Sequence, residues 1–185
     1  MKDISHAERV DYIGGFYAWG EIEERFNNFT QDAYKFNYSE FNSDNLPLQN
    51  DAAYVSNNYP FKIYMPSYDD YNELKNNTTV EFKENYNGVK DLNGIIYKSN
   101  VNDNEIFIPN ISYKQSDFNR DKITVWDGSS FGCWTNTASH NNEKAYMIYC
   151  SKTIWYGSRI TYACNNIVVN KWYGAQIRPI IKERG

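Results

Sequence analysis

Aromatic rings must supply much of the core of this chain, and this need constrains its fold more than any other sequence feature. Aromatic residues make up 17% of the sequence, with 17 Tyr, 10 Phe and 5 Trp against only 3 Met. A chain of 185 residues buries about 70% of the surface that its unfolded form exposes. We therefore expect a substantial core in which bulky rings do most of the packing.

Asparagine is the second prominent residue, and it occurs in pairs along the whole chain. The pairs are Asn27-Asn28, Asn57-Asn58, Asn76-Asn77, Asn141-Asn142 and Asn165-Asn166. Its side-chain amide competes with backbone hydrogen bonds and therefore favours turns and loops. This pattern predicts many short strands joined by long connections.

Charge and hydropathy argue against two classes of partner. The formal net charge is −4 and the basic residues are scattered, so the chain lacks the basic surface that binds nucleic acid. No stretch approaches the roughly 20 apolar residues that cross a membrane, and the segment after Met1 lacks the apolar run of a secretory signal. We expect no nucleic-acid binding and no membrane insertion. If Met1 is the native start, we also expect folding in a cytoplasm.

The three cysteines leave two interpretations open. Cys133, Cys150 and Cys164 lie in the last third of the chain, and an odd, unclustered set indicates neither a disulfide framework nor a zinc site. The favoured interpretation is three small buried residues, because free cysteine packs like an apolar side chain. One disulfide is the alternative.

Two segments carry helical patterns. Gly20–Phe29 places apolar residues at helical spacing among charges, which predicts a short amphipathic helix. A second helix is predicted after Ser67, a candidate N-cap, and should end near Asn76-Asn77. The polar stretch Gln31–Asn58 between them is predicted to be a long loop.

Strand patterns dominate the rest of the chain. The predicted strands are Val80–Lys83, Gly94–Lys98, Glu105–Pro109, Ile123–Trp126, Phe131–Thr135, Ala145–Cys150, Ile167–Val169 and Gln176–Ile181. Two helices followed by a run of strands, with no Pro-, Gly- or Ser-rich linker, predict a single α+β domain over residues 1–185.

Eight short motifs are distributed along most of the chain, and their order matches that of a known domain. They are Phe16-Tyr17-Ala18-Trp19-Gly20-Glu21, Asp51-Ala52-Ala53, Tyr64-Met65-Pro66-Ser67 with Asn72-Glu73-Leu74, Asn87-Gly88-Val89, Ile106-Phe107-Ile108-Pro109, Cys133-Trp134-Thr135, Ala145-Tyr146 and Gly174-Ala175-Gln176-Ile177-Arg178-Pro179-Ile180. Together they resemble the Fibrobacter succinogenes major paralogous domain (FISUMP) over most of the chain. The resemblance implies a C-type-lectin-like fold, in which two short helices pack on a small, mostly antiparallel, twisted sheet with long loops. It also implies a relationship to the variable proteins of diversity-generating retroelements, and ligand binding by the C-terminal loops.

The candidate ligand-binding residues lie between Thr135 and Lys171. They are Asn136, His140, Asn142, Trp155, Tyr156, Ser158, Arg159, Tyr162, Asn165 and Asn166. The mixture resembles an antibody paratope, in which aromatic rings give contact area and Ser and Asn give adaptable hydrogen bonds. The alternative is that any aromatic- and asparagine-rich chain shows such a mixture, since Tyr54–Tyr71 is nearly as rich.

Three further residues are predicted to be structural. Trp19 and Trp134 lie within the shared motifs, and we expect both indoles in the core. Arg178 is predicted to order the end of a strand by hydrogen bonding.

The sequence indicates no metal, cofactor or catalytic site. The Glu-Pro-Asn and Trp-Asn-Asp motifs by which many C-type lectins hold calcium are absent, and Asp69-Asp70 and Asp103-Asn104-Glu105 do not give the spacing of six to eight oxygen ligands. Only His6 and His140 offer a histidine base, and neither has an evident nucleophile as partner. We expect a protein that is not an enzyme.

The expected function is adhesion. The resemblance favours a protein of a phage virion, displayed on a fibre or tail, that binds a glycan or protein on the surface of a Bacteroidetes-like host. Two alternatives stay open: a surface adhesin of a Bacteroidetes bacterium, and a structural adaptor that binds other virion subunits. Self-association is compatible with each of them.

Overall fold

The computed structural model describes residues 15–25, 28–37, 44–57, 60–110, 114–116, 123–125, 130–154 and 160–181. Within these ranges the chain is mixed α+β, with two short helices and mostly antiparallel sheets, as the sequence predicted. The helices are α1 (Ala52–Val55) and α2 (Tyr68–Asn77). The strands are β1 (Ile63–Tyr64), β2 (Thr78–Lys83), β3 (Gly94–Ser99), β4 (Glu105–Pro109), β5 (Lys114–Ser116), β6 (Ile123–Val125), β7 (Ser130–Ala138), β8 (Lys144–Ile154), β9 (Ile160–Asn170) and β10 (Ile180–Ile181).

The described strands form four sheets. Their orders are β7-β8-β9, β2-β3-β4, β1-β10 and β5-β6, and every ladder is antiparallel. The β7-β8-β9 sheet contains the longest strands, because β8 and β9 each run for 11 residues. No helix in the described ranges has the length and apolar character that a membrane span needs.

The start of α2 follows directly from its sequence. The Ser67 Oγ accepts a hydrogen bond from the Asp70 backbone N–H at 3.1 Å, and the Asp70 carboxylate accepts one from the Ser67 N–H at 2.6 Å. This reciprocal pair is a capping box, which satisfies two donors that a helix start leaves free. The predicted N-cap and the predicted end near Asn76-Asn77 are both confirmed.

The first predicted helix is wrong. Gly20–Phe29 contains no helical residue among those described, because Gly20 has a left-handed φ of +79° and the Arg25 N–H donates to the Phe16 carbonyl at 2.9 Å. That bridge holds the segment in a non-helical path. Phe29 is nevertheless fully buried. Ile22, at the start of the apolar pattern, is 38% exposed, so the spacing does not mark one buried helical face.

The predicted loop Gln31–Asn58 is wrong in part, because it contains α1 and a 3-10 turn at Leu48–Asn50. Asp51 caps α1: its Oδ1 accepts from the N–H groups of Ala53 at 2.9 Å and Tyr54 at 3.2 Å. Its Oδ2 accepts from the Met65 N–H at 2.8 Å, which ties α1 to the end of β1. The Asp-Ala-Ala motif carried this N-cap signal.

One face of the β7-β8-β9 sheet packs against residues 17–19, which we call the N-terminal segment, through two tryptophans. Trp19 Nε1 donates to the Thr135 carbonyl at 2.7 Å, and Trp134 Nε1 donates to the Tyr17 carbonyl at 2.8 Å. Both indoles are 0% exposed. The prediction that Trp19 and Trp134 lie in the core is confirmed, and their reciprocal bonds join segments more than 100 positions apart in sequence.

The opposite face of the same sheet is also buried. Neighbouring residues on a strand point to opposite faces, so Cys133 faces away from Trp134 and joins a second core cluster. That cluster contains Tyr71 of α2 with Ile95, Tyr97, Ile108, Phe131, Ile148 and Cys150. The sheet is therefore enclosed between the N-terminal segment on one side and α2 with the β2-β3-β4 sheet on the other.

The cysteines follow the alternative interpretation. Cys150 of β8 and Cys164 of β9 lie opposite each other in the ladder and form a disulfide, whereas Cys133 is free and buried. The favoured interpretation of three unpaired residues is wrong for this pair. The register between β8 and β9 brings their Cα atoms to 4.0 Å, and the sequence spacing alone does not reveal that register.

Candidate functional site

The sequence-predicted binding residues fall into three groups along the chain between β7 and the middle of β9. Asn136 lies within β7, and His140 and Asn142 are exposed in the turn between β7 and β8. The second group, Trp155, Tyr156, Ser158 and Arg159, lies outside the described residues. The third group, Tyr162, Asn165 and Asn166, belongs to β9.

The length of β8 separates the first group from part of the third. β8 begins two residues after Asn142 and runs for 11 residues to Ile154, a distance of roughly 34 Å at about 3.4 Å per residue. Tyr162 pairs with Lys152, near the far end of β8, whereas Asn165 pairs with Tyr149 near its middle. The structure therefore does not bring His140 or Asn142 together with Tyr162.

β9 and α2 meet in a polar surface. The Asn166 Nδ2 donates to the Asn72 Oδ1 of α2 at 3.0 Å, and the Lys75 Nζ reaches the Asn165 Oδ1 at 3.5 Å. Asn165 and Lys75 are exposed. We call Asn72, Lys75, Tyr162, Asn165 and Asn166 the α2–β9 surface.

Tyr162 closes one end of the α2–β9 surface. Its ring stacks on Phe82 of β2, with centroids 4.1 Å apart and planes 6° from parallel. Burial raises the pKa of Tyr162, and the negative charge of Glu84 raises it further. The Tyr162 hydroxyl is therefore neutral at physiological pH, and one face of its ring is already occupied by Phe82.

The turn between β7 and β8 is anchored to the core by a buried lysine. The Lys171 Nζ donates to the Asn142 carbonyl at 2.7 Å and lies 4.6 Å from the centroid of the Trp19 ring. Lys171 is only 1% exposed, and burial lowers its pKa to about 8. The backbone of Asn142 thus has a structural role, whatever its side chain binds.

The buried Lys171 makes a pH-dependent contribution to stability. The unfolded chain holds the lysine proton up to about pH 10.5, whereas the folded chain releases it near pH 8. The unfolded state binds more protons between these values, so the stability of the native protein relative to Lys171→Met should rise with pH across that window. Because the Asn142 carbonyl and the Trp19 ring favour the charged form, we expect a rise on the order of 1 to 2 kcal/mol.

Urea unfolding of the native protein and Lys171→Met at pH 7.5, 9 and 10.5 measures this difference. The other buried groups titrate alike in both proteins, so the difference isolates Lys171. Parallel stability curves over this range would show that Lys171 has an ordinary pKa in the folded protein.

The described part of the chain offers hydrogen-bonding and aromatic groups more readily than reactive ones. Burial raises the pKa of the Cys133 thiol to about 12, so it is protonated and shielded at neutral pH. Within the described ranges, no three His, Cys, Asp or Glu side chains gather as metal ligands would.

A groove that the sequence did not indicate lies on the other side of α2. It has a volume of about 860 Å³ and is bounded by α2, by β3 and β4, and by residues 178–181. Arg178 is exposed in it and forms no hydrogen bond or ion pair with the described residues. The prediction that Arg178 orders a strand end is therefore wrong.

The dipeptide Arg178-Pro179 is the sequence feature that could have indicated this groove. Proline has no backbone donor and interrupts strand pairing, so the predicted strand Gln176–Ile181 is paired only near its ends. Gln176 forms a bridge to Cys133, and β10 pairs with β1. Arg178 lies in the interruption, where its side chain is open to the groove.

Comparison with known proteins provides no relative from which the function can be inferred. No protein-family model matches the sequence, no curated protein matches it significantly, and no solved structure does so either.

Proposed function

We propose that this chain is a non-enzymatic binding domain with a C-type-lectin-like fold, which attaches a phage virion to a glycan or protein on the host surface. The observation that carries the proposal is the α2–β9 surface. There, Asn166 of β9 bonds to Asn72 of α2, and Lys75 of the same helix reaches the exposed Asn165 at the neighbouring position of β9. Tyr162 lies further along the same strand.

The asparagine side chains retain hydrogen-bonding capacity for a ligand. In the Asn166–Asn72 bond one amide donates and the other accepts at 3.0 Å, so each carboxamide keeps further donor or acceptor positions. Asn165 beside them is exposed. Such a row of paired donors and acceptors suits sugar hydroxyls or a peptide backbone.

The surface is supported by rigid elements on both sides. The Cys150–Cys164 disulfide joins β8 to β9 next to Asn165 and Asn166, and the capping box fixes the start of α2. Side chains held on helices and strands recognise ligands more precisely than side chains on loops. This support favours direct recognition without rearrangement of the backbone.

A surface adhesin of a Bacteroidetes bacterium is the second candidate, and the Cys150–Cys164 disulfide suits it as well as it suits the virion protein. Disulfides persist in oxidising surroundings, which include cell surfaces as well as the surfaces of virions. The gene neighbourhood separates the two: tail or fibre genes beside it support the virion protein, whereas a position among exported lipoproteins supports the adhesin.

Replacing Asn165 with alanine tests the binding surface. Loss of one exposed carboxamide should weaken binding to a responsive glycan or cell type about tenfold, because a hydrogen bond to the ligand is lost. The melting temperature should change little, since Asn165 is exposed. Binding is measured on arrays of bacterial surface glycans and on intact Bacteroidetes cells, with a calcium chelator present.

Asn142→Ala is the matched control. Asn142 is also an exposed asparagine from the predicted set, but it precedes β8, in the turn that follows β7. It should bind like the native protein. The opposite result, with Asn142→Ala impaired and Asn165→Ala unaffected, would move the site to the turn between β7 and β8. Equal binding by all three proteins would contradict both positions.

A further inference from the structure

The groove and the α2–β9 surface lie on opposite sides of α2. Asn72 and Lys75 point to β9, whereas Asp70, Tyr71, Glu73, Leu74 and Asn77 line the groove. Its volume of about 860 Å³ falls within the range of roughly 300 to 1,000 Å³ that is usual for ligand clefts. The groove can therefore hold a ligand of its own, whether or not the proposed function is correct.

The positive charge of Arg178 selects the charge of the ligand. Burial raises the pKa of the Tyr71 hydroxyl and of the Cys133 thiol, and the guanidinium of Arg178 partly opposes both shifts. Its charge therefore lies beside the inner wall of the groove, and it pairs with no carboxylate among the described residues. An exposed guanidinium that pairs with no carboxylate of the described chain suits a carboxylate on a ligand, which it can bind through two parallel hydrogen bonds.

The acidic residues of the groove limit the ligand to a single negative charge. The Asp70 carboxylate is engaged in the capping box, where it accepts from Ser67. Glu73 is exposed on the wall formed by α2 and makes no ion pair with Arg178. A second negative charge on the ligand would be repelled by Glu73, which disfavours phosphate monoesters.

The floor of the groove is aliphatic. Leu74 of α2 and Ile106 and Ile108 of β4 line it together with Pro179 and Ile180. Tyr71 and Tyr97 are only 6% and 2% exposed, so neither ring is open as a platform for stacking a sugar. Ile106, in contrast, is 43% exposed, and covering it with an aliphatic group would remove apolar surface from water.

Amide groups at the rim suit a peptide backbone. Asn102 and Asn104, in the turn between β3 and β4, line the groove. The Asn102 Oδ1 accepts from the Asn104 N–H at 3.0 Å, while the Asn104 carboxamide is uncommitted among the described residues. A ligand with backbone N–H and C=O groups can use these side chains, whereas a simple fatty acid cannot.

We propose that this groove binds the carboxy-terminal segment of a partner protein that ends in an aliphatic residue. Arg178 holds the terminal carboxylate, the floor around Ile106 and Ile180 takes the last side chain, and Asn104 bonds to the backbone that precedes it. The site has the chemistry that recognises a free carboxy terminus, and it lies apart from the surface proposed to bind the host.

The test is a library of fluorescent hexapeptides that end in Ile, Leu or Val, each made with a free carboxylate and with a terminal amide. Fluorescence anisotropy should show that the free acids bind. The amides should bind at least about tenfold more weakly, because a charge-assisted hydrogen-bonded pair is lost. Decanoate, offered alone and as a competitor, represents the fatty-acid source of the same chemistry.

Four variants locate the site. Arg178→Gln should weaken binding about tenfold or more, Ile106→Ala severalfold, and Glu73→Gln should strengthen it. Lys35→Gln removes an equal charge from the exposed Lys35 outside the groove and should leave binding unchanged. Melting temperatures of Arg178→Gln and Glu73→Gln should match that of the native protein, because both side chains are exposed.

Three results would overturn the proposal. They are the absence of binding by any free-acid peptide, equal binding of acids and amides, and binding that survives Arg178→Gln. Decanoate binding without peptide binding would likewise reject a protein partner and assign the groove to a small aliphatic acid.

Discussion

Replacing Trp134 with alanine should lower the free energy of unfolding by about 3 to 5 kcal/mol, the usual cost of deleting a buried aromatic side chain. Trp134 is 0% exposed, and its indole donates to the Tyr17 carbonyl at 2.8 Å. That carbonyl keeps a second donor, the Ala175 N–H at 3.1 Å. Most of the loss should therefore come from the cavity, and urea unfolding followed by circular dichroism measures it.

Two variants separate the cavity from the hydrogen bond. Trp134→Phe keeps most of the ring and removes the donor, so it should cost about 1 to 2 kcal/mol. Trp172→Ala deletes a half-buried indole outside this core and should cost clearly less than Trp134→Ala. If both alanine variants lost the same stability, Trp134 would not be the central contact between the N-terminal segment and β7.

Removal of the Cys150–Cys164 disulfide should lower the free energy of unfolding by about 3 kcal/mol. The bridge spans 14 positions in sequence, and closing a loop of this size restricts the unfolded chain by about that amount. The double variant Cys150→Ala, Cys164→Ala and the native protein treated with dithiothreitol should show similar losses in urea unfolding.

Alkylation provides an independent check of the pairing. In urea without reductant, iodoacetamide should label only Cys133, whose thiol is buried in the folded protein. Addition of reductant should expose two further sites. Labelling of all three cysteines without reductant would show that the disulfide does not form, and the stability prediction would fail with it.

Local signals predicted α2 and most strands correctly. Ser67 and Asp70 make the capping box within four residues of chain, and the apolar run within Glu105–Pro109 matches β4. In both cases the stabilising contacts are close in sequence or follow a simple pattern.

The prediction failed where distant contacts override local preference. Gly20–Phe29 has helical spacing, but its conformation is set by the bridge between Arg25 and Phe16. The strand predicted at Ile167–Val169 extends over Ile160–Asn170, because pairing with β8 also holds Asn165 and Asn166 in the strand, although asparagine disfavours strands. Asn165 and Asn166 lie in that extension.

The candidate site was predicted only in part, for the same reason. Asn165 and Asn166 were identified from composition, but their partners Asn72 and Lys75 lie about 90 positions earlier. The groove was missed because Arg178 and Glu73, which line it together, are more than 100 positions apart in sequence. No periodicity or motif in the sequence indicates that two residues so far apart line the same groove.

The sequence by itself determined the α+β class, the helix α2, the strand-rich C-terminal half and the burial of Trp19 and Trp134, because apolar spacing and capping residues act over a few positions. Only the tertiary structure decided that Cys150 pairs with Cys164, that β9 meets α2, and that Arg178 is open to a groove. These features depend on strand register and on the packing of distant segments, which the free energy of the whole fold selects.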